Sequence, residues 1–193
     1  MQRVCIYCGS SMGANAVYEQ AARELVAAMA ERGLGVVYGG ARVGLMGVVA
    51  EAALAADCEV IGVIPRSLQT KEIAHDGLSR LEVVGSMHER KARMVELADG
   101  FIALPGGAGT MDELFEVFTW AQLGFHRAPC GLLNVAGYYD GIAGFVNKAV
   151  EQAFIRPQHR ELLLIDDQAD RLLSRFAEYQ PPQVPKWINR DEL

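Results

Sequence analysis

Short apolar runs punctuate the chain, and between them lie longer stretches in which apolar positions recur at helical spacing. The short runs read as strands: RVCIY (3–7), LGVVY (34–38), EVIGVIP (59–65), RLEVVG (80–85), GFIAL (100–104), CGLLNV (130–135) and ELLLID (161–166). The stretches between them predict helices over 16–32, 45–56, 86–98, 110–123, 138–154 and 169–179, the first closed by Gly33 as a C-cap. Residues 66–79 carry no clear period and read as loop, and the tail QPPQVPKWINRDEL, with three of the seven prolines, reads as irregular. Strands written as continuous apolar runs are buried on both faces, the pattern of a parallel sheet covered by helices. Their alternation with helices gives βαβ units. The expected fold is therefore α/β, a Rossmann-like, doubly wound parallel sheet in three α/β/α layers. One domain is expected over 1–180, with an irregular tail over 181–193 and no internal repeat.

Composition narrows the function classes. A chain of 193 residues, 51% hydrophobic and 22% charged, suits one well-cored soluble domain. A formal charge of −6 argues against general binding to nucleic acid or to an anionic membrane. No run reaches the roughly eighteen apolar residues of a membrane span. The start MQRVCIYCGSS has no basic segment followed by an apolar one, so secretion is not expected and a cytoplasmic location is. Cys5 and Cys8 form a C-x-x-C, but within a strand pattern an offset of three sends the two side chains to opposite faces, unlike a redox pair that opens a helix. The histidines His75, His88, His126 and His159 show no ligand spacing, so no metal is expected.

In an open parallel sheet, ligands bind beyond the C-terminal strand ends. Three unusual segments fall there: GGARVGLMG after the second strand, SMHERKARM after the fourth and PGGAGTMDE after the fifth. Gly39, Gly40, Gly44 and Gly47 do not have the G-x-G-x-x-G spacing of a dinucleotide fingerprint. They serve either tight packing or backbone contact with an anion or sugar. Pro105 to Thr110 lacks the Lys-Ser/Thr of a P-loop, which argues against nucleoside triphosphate hydrolysis, yet it has room for a monophosphate. Thr110-x-x-Glu113 has the form of a capping box, a sufficient structural reason for Glu113. Against it, a carboxylate beside a phosphate site repels the ligand. Ser86-x-x-Glu89 is a second such box. It puts Arg90 and Lys91 near the positive end of a helix dipole, either on a solvated face or against an anionic ligand. Cations, glycine loops and one carboxylate together suit a phosphorylated substrate that develops positive charge, as in glycosidic cleavage through an oxocarbenium-like transition state.

With these segments quoted, the chain resembles the Lonely Guy (LOG) family of cytokinin riboside 5′-monophosphate phosphoribohydrolases, from about Val4 to Tyr179. The family pattern P-G-G-x-G-T-x-x-E is met by Pro105, Gly106, Gly107, Gly109, Thr110 and Glu113, with TWAQLG and GLLNVAGYY following. The resemblance implies hydrolysis of the N-glycosidic bond of AMP or N6-prenylated AMP to free base and ribose 5-phosphate, without a cofactor. It implies Arg90 and Glu113 as the catalytic pair. It places Glu72, Lys91, Gly107, Ala108, Gly109, Thr110, Met111, Asp112 and Thr119 at substrate-contacting positions, to which the loop residues Gly39 and Gly40 are added. It also implies a homodimer. Relatives are often labelled lysine decarboxylases, but only Lys71, Lys91, Lys148 and Lys186 are present to form the Schiff base that such chemistry needs. Two other readings stay open: a non-catalytic nucleotide-binding or carrier module, which the glycine loops fit equally well, and a nicotinamide-dependent oxidoreductase, suggested by fold class alone.

Overall fold

A computed structural model describes residues 1–69 and 74–182. Its sheet has seven strands: β1 (Arg3–Tyr7), β2 (Gly35–Tyr38), β3 (Val60–Pro65), β4 (Arg80–Val84), β5 (Gly100–Ala103), β6 (Cys130–Leu133) and β7 (Leu163–Asp166). All are parallel, in the order β4-β3-β2-β1-β5-β6-β7. β1, β2, β3, β5 and β6 are almost wholly buried, which accounts for their unbroken apolar runs. β4, at the edge, is partly exposed and carries Arg80 and Glu82.

The helices are α1 (Val17–Glu31), α2 (Gly44–Ala55), α3 (Arg66–Gln69), α4 (Met87–Leu97), α5 (Ala108–Leu123), α6 (Asp140–Glu151), α7 (Pro157–Arg160) and α8 (Ala169–Ala177). α1, α2 and α8 pack on one sheet face over Val4, Ile6 and Val36. α4, α5 and α6 cover the other, over Cys5, Tyr7, Val37 and Phe101. Cys5 and Cys8 fall in these opposite layers, and all four cysteines are free thiols.

Strand order positions the site. The chain winds from β1 outward to β4, then returns to β5 on the other side of β1 and winds outward to β7. Connections after β1 and β5 therefore leave in opposite directions and open a crevice at their C-terminal ends. Two backbone hydrogen bonds tie its walls: Leu104 N–H to Tyr7 O at 2.9 Å and Gly9 N–H to Pro105 O at 3.1 Å.

Three local expectations need correction. The stretch 66–79 is not all loop: α3 forms a single turn, and Ala74 makes an antiparallel bridge to Ala41. The helix expected over 138–154 is shorter. A 3₁₀ turn (Val135–Gly137) precedes it, with Ala136 and Gly137 at positive φ, and the Asn134 side chain accepts the Tyr139 N–H at 2.7 Å. α7 adds a further turn, with Pro157 at a helix start where its missing N–H costs nothing. Finally, α5 begins at Ala108 rather than Thr110. From residue 183 on, the expected tail lies outside the described residues.

Candidate active site

α4 follows the edge strand β4, and its first turn is fixed by a side-chain cap. Ser86 Oγ accepts the Glu89 N–H at 3.1 Å, and Glu89 Oε2 accepts the Gly85 N–H at 2.6 Å, one residue further back than the usual box. That cap aims Arg90 inward across the ends of β2 and β3. Its Nε donates to Val63 O at 3.0 Å and its Nη2 to Gly39 O at 3.1 Å, and the residue is 7% exposed. A Cβ at position 39 would stand 2.1 Å from Arg90 Nη2. Gly39 is therefore a glycine because the guanidinium occupies that space. Gly40 has φ +78°, and its O accepts the His75 N–H at 3.3 Å. Packing within the chain accounts for both glycines.

The Thr110 capping box is absent. Gly107 is the N-cap of α5, with no side-chain cap, and Thr110 sits buried in the first turn. Thr110 closes over Gly106, where a Cβ would lie 2.1 Å from its Oγ1. Glu113 is one and a half turns into the helix, with no capping role. Its side chain is 14% exposed, and its Oε1 stands 3.8 Å from Arg90 Nη1. Burial pushes the Glu113 carboxyl up to about 7. Arg90 and Lys91 pull the other way, while Asp112 adds to the rise. The same Arg90 Nη1 lies 3.5 Å from Met87 Sδ. Glu113 is thus a carboxyl that changes charge near neutrality, aimed at a rigidly held guanidinium.

Lys91 is ion-paired to α5. Its Nζ reaches Asp112 Oδ2 at 3.2 Å and Glu116 Oε1 at 3.0 Å. Burial disfavours the ammonium, but these two carboxylates outweigh it and raise the Lys91 pKa. Asp112 and Glu116 are therefore not ordinary surface residues of α5. They hold Lys91, while the Asp112 side chain stays largely exposed.

Gly107, Ala108 and Gly109 are exposed, and a Cβ at 107 or 109 would meet nothing within 4 Å. Among the described residues no packing calls for glycine there. The first-turn N–H groups of α5 face open space at the positive end of the dipole. Met111 and Thr119 lie on the outer face of α5, in a shallow depression of about 460 Å³ with Phe115 and Trp120. Thr119 Oγ1 donates to Phe115 O at 2.7 Å. It stands six residues beyond Glu113, about 9 Å along the axis, so the two do not converge within one chain. Glu72 lies outside the described residues.

A cavity of about 290 Å³ borders the Gly106–Gly107 turn, lined by Ser10, Ser11, Met12, Tyr18, Leu45 and Tyr138 among others. Sequence reasoning did not single out Tyr138. The available signal was the tandem tyrosine in NVAGYYD, placed just past the C-terminal end of a strand, the edge at which open parallel sheets bind ligands.

Comparison with known proteins places this geometry among relatives. A family model described as "possible lysine decarboxylase" matches residues 46–176. A probable cytokinin riboside 5′-monophosphate phosphoribohydrolase of Oryza sativa subsp. japonica is 48% identical over 181 residues, 94% of this chain and 74% of that protein. A cytokinin riboside 5′-monophosphate phosphoribohydrolase of Arabidopsis thaliana is 47% identical over 180 residues, 93% of this chain and 83% of that one. Among solved structures, the molybdenum cofactor carrier protein of Chlamydomonas reinhardtii aligns with a TM-score of 0.69 at 16% identity, over 92% of this chain and 96% of its own. The molybdenum cofactor binding protein of Rippkaea orientalis aligns at 0.68 and 20%, with the same coverage. At such identities the likeness is one of fold.

Proposed function

The chain belongs to the Lonely Guy family, and from that premise we propose that it hydrolyses the N-glycosidic bond of nucleoside 5′-monophosphates, namely cytokinin riboside 5′-monophosphates or AMP, to free base and ribose 5-phosphate. The observation that carries this reading is the Arg90–Glu113 pair: a buried carboxyl with a pKa of about 7, 3.8 Å from a fixed guanidinium, on the helix whose N-terminus is open to an anion.

In this reading the glycine turn and first turn of α5 receive the phosphate. The bond from C1′ to the base nitrogen breaks with its electron pair going to the base, and positive charge grows on the ribose ring. Ionised Glu113 stabilises that charge and takes a proton from the attacking water, whose oxygen bonds to C1′. The departing base takes up a proton. Arg90, anchored by Val63 O and Gly39 O, keeps the carboxylate oriented.

The description "possible lysine decarboxylase" fits the site poorly. Lys91 is held as an ammonium by Asp112 and Glu116, the wrong state for Schiff-base formation, and Lys148 pairs with Glu151 on the exposed face of α6. We further infer a homodimer, supported by the apolar outer face of α5 and α6, where Phe145 is 59% exposed and meets Phe115 edge-on at 6.4 Å.

The test is product analysis of AMP and of N6-isopentenyl AMP incubated with pure protein. Adenine or prenylated adenine should appear with equimolar ribose 5-phosphate, and Glu113→Gln should bind AMP without releasing base. Binding of both nucleotides with no turnover by the unmodified protein would instead favour a carrier.

A further inference from the structure

Two consecutive tyrosines, from the segment joining β6 to α6, reach back to the glycine turn after β5. Tyr139 is buried, and its hydroxyl donates to Leu104 O at 2.6 Å. Tyr138 is 44% exposed, and its hydroxyl donates to Gly106 O at 2.6 Å. The two bonds grip the carbonyls on either side of Pro105. The Gly106–Gly107 peptide, like every peptide among the described residues, is trans, so its carbonyl and the N–H that follows point in opposite directions. Fixing the Gly106 carbonyl on Tyr138 therefore fixes the direction of the Gly107 N–H, which has no acceptor among the described residues. Tyr138 also stacks edge-on against Tyr18 at 5.6 Å, and both rings line the cavity beside the turn.

We propose that Tyr138 is a positioning residue for the phosphate end of the substrate: its hydroxyl orients the Gly106–Gly107 peptide that receives the phosphate, and its ring walls the cavity holding the ribose phosphate. The assignment rests on the phosphoribohydrolase reading. It separates the paired tyrosines, Tyr139 serving the fold and Tyr138 serving the ligand. Thr110 and Gly9 pack against Gly106, while Gly107 has no Cβ contact of its own, and Tyr138 adds a hydrogen bond that holds the plane of the peptide between them.

The experiment is calorimetric titration of ribose 5-phosphate and, separately, adenine into the unmodified protein, Tyr138→Phe and Tyr139→Phe, with AMP kinetics alongside. Tyr138→Phe keeps the ring and removes one hydrogen bond. It should weaken ribose 5-phosphate about tenfold, leave adenine unchanged, and raise KM for AMP by a similar factor with kcat within about twofold. Tyr139→Phe should lower the melting temperature and spare the preference for phosphate. Ribose 5-phosphate bound equally well by the unmodified protein and Tyr138→Phe would overturn the inference and leave the phosphoribohydrolase reading standing. Equal weakening of adenine would reduce Tyr138 to a structural residue. No binding of ribose 5-phosphate to the unmodified protein would overturn the inference, and absence of AMP turnover as well would overturn both.

Discussion

At the scale of single residues, Glu113 makes function and stability pull in opposite directions. Its pKa rises from an ordinary 4.5 to about 7 on folding, so the folded state holds that proton more tightly than the unfolded chain. The sign follows: the residue costs nothing below about pH 4.5, and its penalty grows as pH rises to about 7, then levels off near 3 kcal/mol. Glu113→Gln cannot ionise, so its melting temperature relative to the unmodified protein should climb between pH 5 and pH 8. A difference that stays flat across that range would mean Glu113 is not destabilised by burial. Activity runs the other way. The rate with AMP should increase as pH passes through about 7 and Glu113 ionises, and Glu113→Gln should lower kcat by about 10²- to 10⁴-fold. A pH–rate profile that is level from 5 to 8 would remove Glu113 as the base.

At the scale of elements, two identical-looking motifs came out differently, and the contrast shows how far local pattern reaches. Ser86-x-x-Glu89 and Thr110-x-x-Glu113 both have the form of a capping box, but only Ser86 caps a helix. A residue pattern states what a helix start would use, not where the turn before it ends. Here α5 starts two residues early, at Ala108, just after a turn in which Gly106 packs against Gly9 and the Gly9 N–H bonds to Pro105 O. The strands and the glycine turns at their C-terminal ends were legible because apolar runs and glycine spacing are local. Arg90's anchors were not, since Val63 and Gly39 lie 27 and 51 residues away in sequence. The clamp of Asp112 and Glu116 on Lys91 joins α5 to α4 and was hidden for the same reason. Two substitutions separate fold from ligand at this scale. Ser86→Ala removes a cap and should lower stability by about 1 kcal/mol, read as a drop in melting temperature. Gly107→Ala adds a methyl group that meets no protein atom within 4 Å, at a φ of −93° that any residue adopts, so its melting temperature should hold. Because the methyl intrudes on the space given to the phosphate, KM for AMP should rise severalfold. A Gly107→Ala protein with unchanged kinetics would move the phosphate elsewhere.

At the scale of the whole molecule, strand order concentrates the chemistry at one crevice and leaves one outer face unexplained. Arg90, Glu113 and the glycine turn converge because β1, β2, β3 and β5 end on the same edge. Thr119 and Met111 belong instead to the outward side of α5, beside Phe115, Trp120 and the exposed Phe145. Phe115 and Trp120 are half-buried and Phe145 is exposed, so the Phe145 ring in particular forgoes much of the burial that normally stabilises such a side chain by about 1.5–3 kcal/mol. A second copy covering the face would bury them by a symmetric contact, since a two-fold interface uses the same patch twice. The unmodified protein should therefore elute with twice the 21.0 kDa chain mass in light scattering. Phe145→Asp should shift it toward a single chain, because two carboxylates would be brought together across the symmetry axis without partners. The Arg90–Glu113 pair lies in the crevice of each chain, so AMP binding by the Phe145→Asp monomer would separate assembly from recognition. An unmodified protein that runs as a monomer at every concentration would leave the aromatic face without the partner inferred for it.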